Sequence, residues 1–74
     1  MTMNVIEIKK RCLDLNISAK DWAKCLNITV AHAYKKFNGQ SPLTLLQADK
    51  IQELLSIEDE DFAFYFLYRH SRIL

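Results

Sequence analysis

The chain has 74 residues, a length that supports one small domain and excludes a multidomain enzyme. Half of the residues are apolar and 26% are charged, which is the balance of a folded protein and not of a disordered tail. The net charge of +1 is unevenly divided: residues 1–40 carry seven basic and three acidic side chains, whereas residues 41–74 carry three basic and six acidic ones. This asymmetry allows one face to meet a polyanion while another serves a different purpose.

Membrane and secretory signals are missing from the sequence. No run approaches the roughly 18 to 20 apolar residues of a membrane span, and no basic segment followed by an apolar one opens the chain. We therefore expect a cytoplasmic protein without a membrane partner. Cys12 and Cys25 lie inside apolar helical patterns, where free thiols pack as small hydrophobic groups.

One glycine, one proline and helical spacing of the apolar residues predict an all-α fold. The first helix is predicted over residues 4–15, and Asn16 is expected to terminate it. Its predicted inward-facing residues are Val5, Ile8, Cys12 and Leu15. A second helix opens at Ser18, which forms a capping box with Asp21. Its inward face comprises Ala19, Trp22, Ala23 and Leu26.

The third helix is predicted between a sharp turn and a glycine. Asn27 tolerates the left-handed conformation that the turn needs, and Thr29 is a good N-cap. Ala33 and Phe37 face inward, and the helix ends at residues 38–39, Asn-Gly.

Two further helices complete the predicted fold. Thr44 and Gln47 form a capping box for the fourth helix, whose buried residues are predicted to be Leu45, Ala48, Ile51 and Leu55. A last helix over residues 58–69 begins with acidic side chains, which favour the positive end of a helix dipole. It is apolar almost all round, so one face can close the core and another remains available.

Residues 18–39 have the spacing of a helix-turn-helix, two short helices joined by a tight turn. Ala23 is small enough to let the helices cross closely, and Ala33 is expected to pack against it. Asn27 supplies the turn, and Ile28 fills the space beneath it.

Specific segments carry a family resemblance. They are residues 18–29 (SAKDWAKCLNIT), residues 33–44 (AYKKFNGQSPLT), residues 45–57 and the aromatic pair at 65–66. In these segments the chain resembles the phage repressor and Cro family of helix-turn-helix regulators, also called the XRE family, and in particular small Cro-like regulators from phages of Gram-positive bacteria. The resemblance implies a five-helix bundle of the lambda-repressor type that binds operator DNA, usually as a homodimer.

The resemblance also implies roles for individual residues. The expected base contacts come from the third helix, at Val30, Ala31, His32, Tyr34 and Lys35. The expected phosphate contacts are Ser18, Lys20, Lys36, Asn38 and Gln40. Transcription regulation through double-stranded operator DNA is therefore the first functional hypothesis.

A second hypothesis comes from departures from the family pattern. Apolar residues stand at positions 19, 30 and 31, where many members carry polar ones, and apolar side chains cannot hydrogen-bond a base edge. The same face would then bind a phage repressor protein and block its binding to DNA, as an antirepressor. The interface expected for this alternative is Ala19, Trp22, Val30, Ala31 and Tyr34, although Trp22 is first interpreted as a helix-packing core residue.

The last predicted helix suggests a homodimer contact through Phe62, Phe64, Tyr65, Phe66 and Tyr68, because spare apolar faces are usually covered. The competing interpretation is that so short a chain needs these aromatic residues for its own core. No glycine-rich phosphate loop, paired histidine and carboxylate, or activated cysteine suggests catalysis. We expect neither an enzyme nor a cofactor, and no bound metal.

Overall fold

A computed structural model describes residues 3–67 and shows five α-helices there. They are α1 (Val5–Asp14), α2 (Ala19–Leu26), α3 (Val30–Phe37), α4 (Leu45–Leu54) and α5 (Phe62–Phe66), with a 3₁₀ turn at Asp59–Asp61 before the last. Residues 3–67 contain no β-strand. The predicted all-α class is confirmed.

Helix α1 begins and ends by local devices. The side chain of Asn4 accepts a hydrogen bond from the Glu7 backbone N–H at 3.4 Å. After the helix, Asn16 adopts a left-handed conformation with φ 56°, and the Ile17 N–H donates to the Cys12 carbonyl at 2.8 Å. This turn redirects the chain, so Ile17 packs against the core and Leu15 is left exposed, contrary to the prediction.

Helix α4 has the predicted capping box. The Thr44 hydroxyl accepts from the Gln47 N–H at 3.1 Å, and the Gln47 side chain accepts from the Thr44 N–H at 3.0 Å. Ala48 and Ile51 in α4 and Leu55 at its C-cap are buried, as predicted. The prediction for Leu45 is wrong: its side chain is 68% exposed. Leu45 is the first residue of the helix and points away from the core.

The loop before α4 contributes Leu43 to the core, where its side chain is buried. The core unites all parts of the chain between residues 8 and 66. Its buried members are Ile8, Cys12, Trp22, Ala23, Leu26, Ala33, Leu43, Ala48, Ile51, Leu55, Ile57 and Phe66.

Two polar contacts hold α1 against the carboxyl-terminal half of the fold. The Arg11 guanidinium donates to the carbonyls of Leu55 and Ser56, each at 2.9 Å. At the other end of the helix, the Asn4 backbone N–H donates to the Tyr65 carbonyl at 2.8 Å. The position of α1 is therefore set by α4 and α5 as well as by apolar packing.

The predicted last helix starts later than expected. Asp59–Asp61 form a separate 3₁₀ turn, and α-helical structure begins at Phe62. The acidic residues therefore precede α5 and do not make up its first α-helical turn. Residues 68–69, the end of the predicted helix, lie outside the described part of the chain.

Candidate nucleic-acid interface

The turn between α2 and α3 has the predicted geometry. Asn27 ends α2 in the left-handed conformation, with φ 56° and ψ 49°. The following N–H, from Ile28, donates to the Ala23 carbonyl at 3.0 Å, and the Ile28 side chain packs against the core. Because these bonds close the end of α2 within one residue of the turn, α3 leaves at a fixed angle.

Hydrogen bonds define the start of both helices. The Thr29 hydroxyl accepts from the His32 N–H at 3.1 Å, as predicted for its N-cap role. At the start of α2, the Asp21 carboxylate accepts from the Ser18 backbone N–H at 2.8 Å and from the Ser18 hydroxyl at 3.2 Å. The Asp21 carboxylate therefore already occupies the hydrogen-bonding groups of Ser18 that were expected to contact a phosphate.

The inner faces of α2 and α3 combine small and aromatic side chains. Ala23 and Ala33 are both buried in the common core. The ring of Trp22 meets that of Phe37 edge to face, with centroids 5.2 Å apart. These contacts leave the opposite face of α3 free of the core.

The five residues predicted to contact bases lie together on that outward face. All of them are exposed, and helical geometry orders them around one continuous arc of α3: Val30, Tyr34, Ala31, Lys35 and His32. The remaining arc of the helix packs inward. These five residues therefore share one exposed surface, and their contact with bases stays a prediction.

An open groove of about 600 Å³ runs beside this face, between α3 and the loop that follows it. Its α3 wall includes Ala31, His32 and Lys35, and its loop wall is formed by Gln40, Ser41 and Pro42. Ser41 and Pro42 were not among the predicted site residues. A Ser-Pro pair is typical of a loop, but no local signal showed that this loop folds back beside α3.

Backbone hydrogen bonds hold the loop wall in place. The Lys35 carbonyl accepts from the N–H groups of Gln40 and Ser41, at 2.8 and 3.2 Å. Gly39 has φ +76°, and a Cβ atom added to it would lie 2.6 Å from Val5 Cγ2. Glycine is required here on both counts, because the backbone is left-handed and α1 approaches closely.

Lys36 is not a surface residue, and its prediction as a phosphate contact is wrong. Its side chain is 5% exposed, and Nζ donates to the Pro42 carbonyl at 2.7 Å. The position falls on the same arc of α3 as Ala33, which faces the core. The long aliphatic stem of lysine packs there while the ammonium bonds the loop.

The other predicted phosphate contacts differ in accessibility. Lys20 and Gln40 are exposed. Asn38 is half-buried, and its side-chain oxygen accepts a hydrogen bond from Lys9, whose ammonium also lies 5.5 Å from the centre of the Phe37 ring. Ser18 is exposed, but its hydroxyl and N–H are both bonded to a carboxylate.

Burial also removes two residues from the alternative protein interface. Trp22 is fully buried, and Ala19 is buried beside it on the same face of α2. Neither can contact a partner without unfolding the domain, so their prediction as interface residues is wrong. Val30, Ala31 and Tyr34 are exposed and form what is left of that interface.

The residues predicted for dimerisation are divided by the fold. Phe66 is fully buried and belongs to the core, so its prediction as a dimer contact is wrong. Phe62 packs on it, with ring centroids 4.9 Å apart, and like Tyr65 is half-buried. Phe64 is exposed. Tyr68 lies outside the described residues.

No protein-family profile, curated protein or solved structure matches this chain. In the region from residue 3 to residue 67, no helix has both the length and the apolar character needed to cross a membrane.

Proposed function

We propose that this protein is a phage-type transcriptional regulator of the repressor and Cro class, which binds double-stranded operator DNA through α3. The observation that carries the proposal is the outward face of α3, where five predicted contact residues are exposed beside an open groove. The helix-turn-helix interpretation of residues 18–39 is supported by the left-handed turn at Asn27 and the tight packing of α2 on α3.

An exposed α-helix such as α3 can enter a major groove. A helix with its side chains is about 10 to 12 Å across, and the major groove of B-DNA is about 12 Å wide. In this arrangement Lys35 donates to guanine O6 or N7. Val30 and Ala31 contact thymine methyl groups, since neither side chain carries a hydrogen-bonding group.

Phosphate contacts come from the edges of this surface. Lys20 at the start of α2 and Gln40 in the loop are exposed on elements that flank α3. Lys36 contributes indirectly, because its hydrogen bond to Pro42 holds the loop that carries Gln40. With few free ammonium groups, affinity depends on salt less steeply than in strongly basic regulators.

The proposed assembly on DNA is a homodimer. A dimer places two copies of α3 in successive major grooves about 34 to 36 Å apart, which requires an operator with approximate two-fold symmetry.

The test is selection of binding sites from a random duplex pool, followed by fluorescence anisotropy on the enriched and scrambled sequences. We expect enrichment of one sequence and weaker binding as salt rises. Lys35→Met should weaken binding to the enriched site about tenfold or more and relax preference at one base pair. The matched control is Lys50→Met, which removes an exposed lysine from α4 and should leave affinity nearly unchanged.

Two outcomes would contradict the proposal. The first is that no sequence is enriched and the intact chain shows no measurable affinity for duplex DNA at low salt. The second is that Lys35→Met and Lys50→Met lose the same affinity on every sequence. Binding would then be electrostatic and independent of DNA sequence.

The second candidate is an antirepressor that uses the α3 face to bind a phage repressor. The observation that favours it is the exposure of Val30, Ala31 and Tyr34, which makes part of that face apolar. With a purified phage repressor as the probe, Tyr34→Ala should abolish complex formation while Lys35→Ala should have little effect. A Lys35→Ala chain that loses affinity for DNA, together with a Tyr34→Ala chain that still binds the repressor as well as the unaltered chain does, would favour operator binding.

A further inference from the structure

Helix α1 carries three consecutive basic residues, Lys9, Lys10 and Arg11, and the fold gives each a different environment. The Arg11 guanidinium is bonded to two backbone carbonyls that follow α4. The Lys10 ammonium lies 3.6 Å from the Glu7 carboxylate, with which it forms an ion pair. Lys9 is exposed, and its ammonium reaches the end of α3. Of the three, Lys9 is therefore the residue associated with the helix proposed to bind DNA.

Two contacts hold the Lys9 ammonium in place. Nζ donates a hydrogen bond to Asn38 Oδ1 and lies 5.5 Å from the centre of the Phe37 ring. Both partners are uncharged, and the ion pair found among residues 3–67 involves Lys10 instead, so no carboxylate of this region neutralises Lys9. An ammonium has three N–H donors, and the bond to Asn38 leaves two of them for a ligand.

Asn38 places this ammonium at the end of the outward face of α3. Its backbone N–H donates to the Tyr34 carbonyl at 2.9 Å, so Asn38 continues the helical path by one residue. A rotation of about 100° per residue sets its position between those of Tyr34 and Lys35, about one turn farther along the helix. The Lys9 ammonium therefore extends the surface that the candidate base contacts form.

The hydrogen bond also sets the direction of the Asn38 amide. Because an ammonium can only donate, the amide turns its oxygen toward Lys9 and keeps its NH₂ group as a second donor beside the ammonium. One charged and one neutral donor thus lie together at the end of α3. Two non-bridging oxygens of a single phosphate can accept from such a pair, and the charged donor makes the stronger bond.

We propose that Lys9 and Asn38 together bind one backbone phosphate of duplex DNA, at the edge of the major groove that α3 enters. This assignment rests on the proposed function, because it places α3 in that groove. Bases form the floor of the groove and phosphates line its edges, so a cation at the end of the helix meets a phosphate. Lys9 was not among the expected phosphate contacts, since no spacing within α1 shows that α3 ends beside it.

The test is fluorescence anisotropy of the full chain on the enriched duplex and on a scrambled duplex, at several salt concentrations. Lys9→Gln removes the charge and keeps a side chain that can donate to Asn38. It should weaken binding to both duplexes about fivefold, because a phosphate carries no sequence information. The slope of log affinity against log salt should become shallower by about 0.9, the value for one phosphate.

Lys10→Gln is the matched control, because it removes the same charge from the next residue of the same helix. It should change affinity by less than about twofold and leave the salt slope unaltered. Lys9→Arg keeps the charge and should retain most of the affinity. Urea unfolding of each variant, followed by circular dichroism, separates the loss of a DNA contact from a loss of folded protein.

The two residues are expected to act on the same phosphate. Asn38→Ala removes the neutral donor and the acceptor that holds the ammonium, so it should also weaken binding to both duplexes. The chain with both Lys9→Gln and Asn38→Ala should lose less affinity than the product of the two single losses. Independent losses that simply multiply would contradict a shared phosphate.

Failure of this assignment is distinct from failure of the proposed function. If the unaltered chain binds duplex DNA and Lys9→Gln behaves like Lys10→Gln, the assignment is overturned and DNA binding through α3 stands. A loss of affinity with an unchanged salt slope, or a loss on the enriched duplex alone, would also overturn it. An unaltered chain with no affinity for duplex DNA at low salt would overturn both.

Discussion

The α2–α3 region and the α4–α5 region turn the chain by the same backbone device and present different chemistry to their surroundings. Asn27 ends α2 with φ 56°, and Ser56 follows α4 with φ 53°. Beyond these turns, the first region exposes a lysine and a mixed polar and apolar helix face, whereas the second exposes leucines among carboxylates. Turn geometry is thus a local property, and the surface chemistry that it positions varies independently.

The contrast extends to neighbouring residues within one helix. Lys35 is exposed on the groove beside α3, and Lys36 is buried with its ammonium on the Pro42 carbonyl. A rotation of about 100° per residue separates a candidate base contact from a structural hydrogen-bond donor. Five predictions test how far these distinctions hold.

The largest effect is expected at the centre of the α2–α3 packing. Trp22→Ala should lower the free energy of unfolding by about 3 to 5 kcal/mol, because a fully buried indole leaves a large cavity. Urea unfolding followed by circular dichroism measures the loss. Tyr34→Ala, on the exposed side of α3, is the control and should change it by less than about 0.5 kcal/mol. Equal effects would contradict the assignment of inner and outer faces.

Gly39→Ala should lower the free energy of unfolding by about 1 to 3 kcal/mol. The added methyl group would meet Val5 Cγ2, and alanine would be forced into a left-handed conformation. Thermal unfolding measures the effect. Adding Val5→Ala should recover the part that is due to the close contact, and no recovery would mean that backbone strain accounts for the whole loss.

Lys36→Met should cost about 1 to 3 kcal/mol of stability, because the Pro42 carbonyl loses a charged donor in a buried place. Lys35→Met should change stability by less than about 0.5 kcal/mol. Paired denaturant curves compare the two variants. If the two adjacent substitutions prove equivalent, the structural role of Lys36 is refuted.

Ser56→Gly should stabilise the protein by up to about 1 kcal/mol, since glycine adopts the left-handed conformation without steric cost. Asn27→Gly should have a smaller effect, because asparagine already tolerates that conformation. Differential scanning calorimetry of the two variants makes the comparison. A larger gain at Asn27 would show that the two turns are not equivalent.

The smallest effect concerns the thiols. Burial raises the pKa of the buried Cys12 thiol and that of the half-buried Cys25 thiol, because a thiolate away from water is poorly solvated. The unfolded chain therefore loses its thiol protons first, so the stability that they contribute is complete below a pH of about 8.5 and is lost as pH rises through the higher folded pKa. Denaturant curves at several alkaline pH values give the free energy of unfolding. This free energy should fall less steeply with pH for Cys12→Ala than for the unaltered chain. Identical slopes would contradict this contribution.

Local signals in the sequence predicted most of the backbone. The capping boxes at the starts of α2 and α4, the Thr29 cap, the turn at Asn27 and the glycine after α3 all depend on interactions within a few residues. The inward faces of α2 and α3 followed from helical spacing. The candidate base contacts were named by the family resemblance, and they lie on the outward surface of α3.

Only the tertiary structure decided which helix edges are covered. Leu45 is exposed whereas Leu43 reaches the core from the loop, and the buried Lys36 bonds the loop that folds back after α3. Phe66 and Trp22 are core residues because other helices close over them. Composition and periodicity describe one segment at a time, whereas the burial of a side chain depends on the segment that packs against it.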